Sequence, residues 1–224
     1  MANTAALMAL LGVHAGVVDA CLTAPTLHLL FGLSQSAPRW TLNDYLLGRC
    51  SLSAAAQRVP IGNNSPDRRS LLVVPADPNH AAVVKAYRQA YDVESLGESC
   101  QKLAADLGLD VLIIDTEAGL PPSTLNCMAA ANAALILLAP DKQHFQGVAR
   151  TVSVVEALAI PRHKLAVNSV VPLLDDDEVR IRVSQIYGWE VAAVIPYCDA
   201  LMALGSASVF VLRYPTHSVT ARFH

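Results

Sequence analysis

The sequence is poor in charge: only 16% of its 224 residues are Asp, Glu, Lys or Arg, and they balance to a net −3. With a pI near 6.1, it has no basic footprint for gripping a nucleic-acid backbone through overall charge, which argues against that class of partner. The five cysteines (Cys21, Cys50, Cys100, Cys127 and Cys198) are scattered, with no C-x-x-C pair. That spacing indicates neither a zinc site nor a disulfide framework, and thiols of a reducing cytoplasm are expected. No apolar run approaches the ~20 residues needed to cross a bilayer. The opening "MANTAALMALLG" lacks a basic start and breaks at Gly12, His14 and Gly16 before Asp19, so neither a signal peptide nor a membrane span is expected. Finally, none of the 11 glycines is followed by lysine, so G-x-x-x-x-G-K-[ST], the loop that cradles phosphates on backbone N–H groups, is absent.

What the chain does have is apolar residue in quantity, 53% of the total, with a mean hydropathy of +0.38. Its strands read as continuous apolar runs: "GVVDA" (16–20), "SLLVVPA" (70–76), "VLIID" (111–115), "ALILLAP" (134–140), "KLAVNSV" (164–170) and "EVAAVIP" (190–196). Unbroken runs, as opposed to alternation, mark a parallel sheet covered on both faces. Helical segments lie between them. Asn79 is placed to cap "HAAVVKAYRQAY", and Ser95 with Glu98 fits a capping box ahead of "SCQKLAADLG". "FQGVARTVSVVEALAI" has helical periodicity up to Pro161, and "DDDEVRIRVSQIYG" opens with acids at the positive end of the helix dipole. "RVPIGNNSPDRR" (58–69), rich in turn formers, is the expected loop. The alternation predicts one α/β domain over residues 1–224, a mainly parallel sheet with helices on both faces.

Two of the runs end in a carboxylate, at Asp19 and Asp115. Ligands of such sheets bind beyond the carboxyl ends of the strands, and paired acids there suit hydrated Mg²⁺ on a phosphate. An aspartate after a strand also simply starts a turn, so the run alone leaves both readings open.

The longer stretch from Leu109 to Val170, "LDVLIIDTEAGLPPSTLNCMAAANAALILLAPDKQHFQGVARTVSVVEALAIPRHKLAVNSV", resembles the MinD/ParA family of P-loop ATPases. The resemblance makes Asp115 of "IIDT" the Walker B acid, with Thr116 beside it, and Gly119 the γ-phosphate-sensing glycine of a switch loop. Glu117 and Ala118 stand where the family often has a proline just before that glycine. Asn168 falls where the family reads the adenine base, and Pro196 opens a base-proximal loop in "YGWEVAAVIPYCDALMALGSASVFVLRYPTHSVT". Upstream, "GVVDACLTAPTLHLLFGL" is similar to the family's second strand and switch I, written V-D-x-D, with Asp19 as the first acid and Cys21 in place of the second, water-positioning one. The likeness is weak only from about Cys50 to Asp92.

The family implies ATP or ADP with Mg²⁺, Asp115 and Asp19 serving the metal. It also implies a cytoplasmic homodimer joined through the nucleotide face, with an unidentified protein partner or cargo, used in cell division or partitioning. Against that stand the absent loop and Cys21, since a thiol does not replace a carboxylate in orienting water at neutral pH. "NTAALMALLG" is similar to the helix that follows the family's phosphate loop, so a start lacking the first strand and loop is expected, on a member already weak in hydrolysis. The central place of that strand then leaves a gap between the Asp115 and Ala134 strands. The alternatives are a non-hydrolysing scaffold or regulatory binding module of the same fold and, less favoured, a dethiobiotin-synthetase-like ligase, which "DKQHFQG" matches poorly. The closing "RYPTHSVTARFH" is too short and too weakly charged for a basic amphipathic membrane helix, so stable membrane attachment is not expected.

Overall fold

The computed structural model describes residues 1–33, 40–62, 70–79 and 96–223. In chain order these form α1 (Ala2–Leu10), β1 (Ala15–Asp19), α2 (Leu27–Leu30), α3 (Leu42–Leu46), α4 (Leu52–Ala55), β2 (Gln57–Pro60) and β3 (Ser70–Val74). There follow α5 (Leu96–Asp106), β4 (Val111–Asp115), α6 (Pro122–Ala130), β5 (Ala133–Leu138), α7 (Lys142–Ala157), β6 (Arg162–Val170) and α8 (Asp176–Tyr187). The chain closes with β7 (Val191–Pro196), α9 (Asp199–Leu204), α10 (Phe210–Arg213) and a 3-10 turn (Thr220–Phe223). Two compact units result: Met1–Cys127 with Leu204–Pro215, and Met128–Ala203 with Thr216–His224.

The first unit holds a sheet in the order β2-β3-β1-β4, parallel except for β2 at its edge. All five residues of β1 are buried, the reason its sequence runs apolar without alternation. One face is closed by α1, which packs on β1 and β3 and is backed by α10. The Asn3 side-chain oxygen accepts a hydrogen bond from the Val211 N–H, 3.2 Å. A second apolar layer gathers Val18, Leu42, Leu52, Val74, Leu96 and Cys100. Gly16 lies inside β1 because the space is taken: a Cβ there would come within 2.8 Å of Leu109 Cδ1 and 2.9 Å of Leu112 Cδ1. Gly16→Val is therefore expected to destabilise the protein by about 1–3 kcal/mol through overpacking. Urea titration would read this as a lower midpoint at unchanged slope, and an unshifted midpoint would contradict the packing account.

The second unit holds the parallel sheet β5-β6-β7. Its helix α8 starts where Asp175 Oδ1 accepts the N–H groups of Asp177 and Glu178, both at 3.0 Å. It stops at Gly188, whose φ of +71° is the left-handed cap that glycine adopts without strain. Among the described residues no helix is long and apolar enough to cross a membrane.

The mainly parallel α/β architecture is as expected, its strands divided between two sheets. Two local expectations need correction. The turn-rich stretch begins as a strand: Arg58 to Pro60 belong to β2, antiparallel to β3. Pro60 is accommodated because β2 pairs on one side only. The runs at β4 and β5 are also less buried than an interior parallel strand. Every residue of β4 is only half-buried, and β5 leaves Leu135 54% and Leu137 51% exposed. Each strand ends its sheet, and among the described residues the two do not pair with one another. The loop from residue 63 to 69, the helix after Asn79 and the capping residue Ser95 lie outside the described residues.

Candidate functional site

In the first unit, Asp19 and Asp115 are partners in register across the parallel pair β1 and β4. Both carboxylates therefore stand at one sheet edge, as the two acid-terminated runs predict. Asp19 has no solvent exposure. Its Oδ2 accepts hydrogen bonds from the backbone N–H groups of Thr26 (3.2 Å) and Leu27 (3.1 Å), which fixes the first turn of α2. Its other oxygen, Oδ1, has no hydrogen-bond partner. Burial pushes the Asp19 carboxyl up to about 6; the Leu27 N–H opposes this and the neighbouring Asp115 reinforces it. Asp115 is likewise raised by burial, with the Met1 ammonium group pulling the other way.

Cys21 sits two residues beyond Asp19. Burial raises its thiol pKa, a backbone bond at Ala24 counters, and Asp19, Glu117 and Asp115 raise it further. Burial first, and these negative neighbours with it, favour the neutral thiol, so Cys21 brings no carboxylate-like charge to this position at neutral pH. Glu117 is a residue that sequence reasoning singled out only as a departure from the family. Its Oε1 accepts the Thr23 N–H at 3.1 Å, tying the loop after β4 to the loop after β1. Thr124, buried at the start of α6, donates to the Glu117 carbonyl oxygen at 3.2 Å and anchors the same loop. Thr116 is half-buried in this loop. Gly119 has a φ of +83° with nothing within 4 Å of a would-be Cβ, so its glycine serves the backbone conformation and no close neighbour demands it.

Among the described residues, no three His, Cys, Asp or Glu side chains converge as a metal-binding group. The orphaned Asp19 Oδ1 beside Asp115 nevertheless suits a hydrated divalent cation: Mg²⁺ keeps several waters, and one or two carboxylates suffice to hold it through them.

Asn168 and Pro196 belong to the second unit. Asn168 is half-buried in β6, next to Ser169 with its φ of +58°. There the β6–β7 register shifts between Val167 and Val170, before Val170 pairs with Pro196. This bulge takes Asn168 out of the ladder near the carboxyl ends of β6 and β7. An open cavity of about 440 Å³ lies at the same end, lined by Val170 to Asp176 and Pro196.

No family model matches the sequence. It is 28% identical over 203 residues to a protein of Chlorella vulgaris bearing the name septum site-determining protein MinD, covering 87% of this chain and 65% of that protein. It is also 28% identical over 173 residues to the septum site-determining protein MinD of a Synechocystis strain, covering 76% and 59%. Against an uncharacterised ATP-binding protein of Methanocaldococcus jannaschii the figure is 28% over 157 residues, covering 70% and 53%. The aligned part thus spans between 53% and 65% of these relatives.

Among solved structures, MinD of Pyrococcus horikoshii, complexed with Mg-ADP, superposes with a TM-score of 0.82 at 20% identity, covering 99% of this chain and 85% of that one. The cell division ATPase MinD of Pyrococcus furiosus gives 0.82 at 22%, covering 99% and 87%. The fold is shared more widely, by a cobyrinic acid a,c-diamide synthase of Mycobacterium smegmatis at 0.71 and 19% identity, covering 99% and 82%. In sequence this chain is similar to proteins named MinD, and it has the P-loop NTPase-like fold of the solved MinD structures.

Proposed function

We propose that this protein is a nucleotide-dependent positioning factor of the MinD/ParA type, serving cell division or partitioning in the cytoplasm, of which residues 1–224 by themselves hydrolyse ATP weakly or not at all. The observation that carries the reading is the Asp19–Asp115 pair: two carboxylates in register at a strand edge, one with a fully buried, unpartnered oxygen. A carboxylate held ionised under such conditions costs stability, and a buried, perturbed carboxyl beside a second one is a candidate ligand site.

Asp115 and Asp19 would hold Mg²⁺ through water, and the ion would supply charge neutralisation to a nucleotide's phosphates. Thr116 and Gly119 would contribute to the phosphate-side loop. Asn168 and Pro196 would border the base. Asp19 also orders α2 through the Thr26 and Leu27 amides, so ligand-dependent charge on Asp19 would reach that helix directly. Two features oppose turnover. No G-x-x-x-x-G-K-[ST] loop is present to neutralise phosphate charge, and the neutral Cys21 thiol leaves the water-orienting position without a carboxylate.

A second reading, favoured by Cys21, is a binding module of the same fold that works through protein contacts without hydrolysis. In either case self-association through the nucleotide face is the expected assembly. A dethiobiotin-synthetase-like ligase has the least support, because "DKQHFQG" offers little to match it.

The test is calorimetry of residues 1–224 with Mg-ATP, followed by a phosphate-release assay. Weak or undetectable binding and no release above background are expected. Micromolar affinity with measurable release would mean that another cation has taken over the phosphates, and the impaired-hydrolysis reading would fall.

A further inference from the structure

The first unit buries a histidine that the carboxylate pair does not use. α2 is a single turn of four residues, and Asp19 Oδ2 holds its start through the Thr26 and Leu27 N–H groups. The next residue, His28, is 8% exposed, and its ring Nδ1 is dry and without a hydrogen-bond partner. Asp77, in the loop after β3, is the charge that acts on this ring. α3 fixes that loop: the Asn43 side-chain oxygen accepts the Asp77 N–H at 2.8 Å, and the Leu42 N–H donates to the Pro75 carbonyl at 2.8 Å. Asn43 offers the ring no acceptor, because its oxygen is taken and its buried Nδ2, also unpartnered, is a donor. The other acids of these elements are committed elsewhere, Asp44 to Arg49 at 2.9 Å and Asp19 to the amides of α2.

A neutral His28 leaves one buried nitrogen unsatisfied. A protonated His28 puts an N–H and a full charge at that same dry nitrogen, which costs far more. Burial accordingly lowers the His28 pKa, and Asp77 opposes the shift. The folded state therefore takes up this proton less readily than the unfolded imidazole, whose ordinary value is 6.5. Stability is kept above that pH and lost as pH falls below it. The element that carries this cost is small. Its closing bonds are the Phe31 N–H to the Leu27 carbonyl at 3.0 Å and the Leu33 N–H to the His28 carbonyl at 2.9 Å. One helical turn has little stability of its own, so local opening is the least costly way to bring a charged ring to water.

We propose that His28, with Asp77 and Asn43, is an acid-sensitive latch on α2: the neutral ring keeps the turn docked at the carboxyl ends of β1 and β3, and the charged ring opens it to water. Asp77 moderates the charge in the closed state, and Asn43 holds the Asp77 loop in place. The latch involves neither carboxylate of the proposed cation site, and its test uses no ligand.

The test is hydrogen exchange by NMR on the full chain, corrected for intrinsic rates. Between pH 7.5 and pH 5, the Phe31 and Leu33 amides should lose protection by about threefold or more beyond any loss at Val17 and Val18 of β1. His28→Gln should abolish that extra loss, and Asp77→Asn should enlarge it. The difference that His28→Gln makes should persist in an Asp19→Asn background, which removes the other group titrating at this turn. His163→Gln, in the second unit, is the control and should change nothing, with circular dichroism verifying that each variant is folded. One measurement needs no variant: the His28 ring signals should titrate below 6.5. Titration at or above that value, equal losses with and without His28, a smaller loss in Asp77→Asn, or a loss shared equally by β1 would each overturn the proposal. So would disappearance of the effect in the Asp19→Asn background, by naming Asp19 as the group responsible.

Discussion

Asp19→Asn is expected to stabilise the protein at pH 7 and above. Burial holds this carboxyl at about 6, against an ordinary 3.8. At 1.36 kcal/mol per pH unit, that elevation amounts to about 3 kcal/mol once the group is ionised in both states. The sign follows from which state holds the proton. The folded state keeps it up to about pH 6, whereas the unfolded chain releases it near 3.8. Folding is therefore penalised progressively as pH rises through that window, fully above it and not at all below it. Asparagine keeps an acceptor for the Thr26 and Leu27 amides but puts an unpaired N–H where Oδ1 was, which offsets part of the gain. A net stabilisation of about 1–2 kcal/mol at pH 7.5, turning into a net destabilisation of about 1 kcal/mol near pH 4, where the linkage gain has gone and the unpaired N–H remains, is the outcome to look for in denaturant titrations.

Comparing the two proteins at each pH cancels His28, whose burial lowers its pKa and which costs stability as pH falls below its ordinary 6.5. Millimolar Mg²⁺ supplies a functional arm. It should stabilise the wild type more than Asp19→Asn, which keeps only the Asp115 carboxylate for the ion. A variant equal to or less stable than wild type at pH 7.5 would show that the buried charge is compensated by contacts other than the two amides.

The second large effect concerns the missing phosphate contacts. Charge-assisted hydrogen bonds contribute about 1.5–3 kcal/mol each, and each 1.4 kcal/mol is a factor of about ten in affinity. Joining a strand that ends in KGGxGKT ahead of Asn3 should therefore strengthen Mg-ATP binding on the order of a hundredfold or more. Phosphate release should remain at background in that protein if, as proposed, Cys21 stands at the water-orienting position. Adding Cys21→Asp should bring release above background. Release from the graft alone would show that the cysteine is tolerated. No gain in affinity from a folded graft would remove the nucleotide from the proposed function altogether. The graft also bears on β4, whose residues are half-buried at the end of their sheet. Hydrogen exchange at Val111 to Asp115 should slow once a neighbouring strand is present.

The sequence was informative wherever a property is local. Apolar runs located β1, β3, β4, β5, β6 and β7 to within a residue or two, because burial on both faces of a parallel sheet leaves no alternation to disguise them. The end of α8 at Gly188 was equally legible, since a left-handed cap selects glycine by sterics alone. The shared edge of Asp19 and Asp115 followed from two runs of the same polarity, each ending in an acid. Tertiary structure decided whatever depends on a partner distant in sequence. β2 was hidden in a turn-rich stretch because an edge strand pairing on one side tolerates Pro60 and needs no long apolar run. The half-exposure of β4 and of Leu135 and Leu137 in β5 was invisible in runs as apolar as their neighbours, because composition records what a strand would bury and cannot record which neighbour it has. The roles of Asp19 and Glu117 were fixed only in three dimensions. One carboxylate spends an oxygen on the Thr26 and Leu27 amides and leaves the other unpaired in a dry environment, and the second carboxylate reaches across 94 residues of sequence to the Thr23 N–H. Hydrogen-bond satisfaction and desolvation are properties of an environment assembled by folding, so no reading of the residues in order could have assigned them.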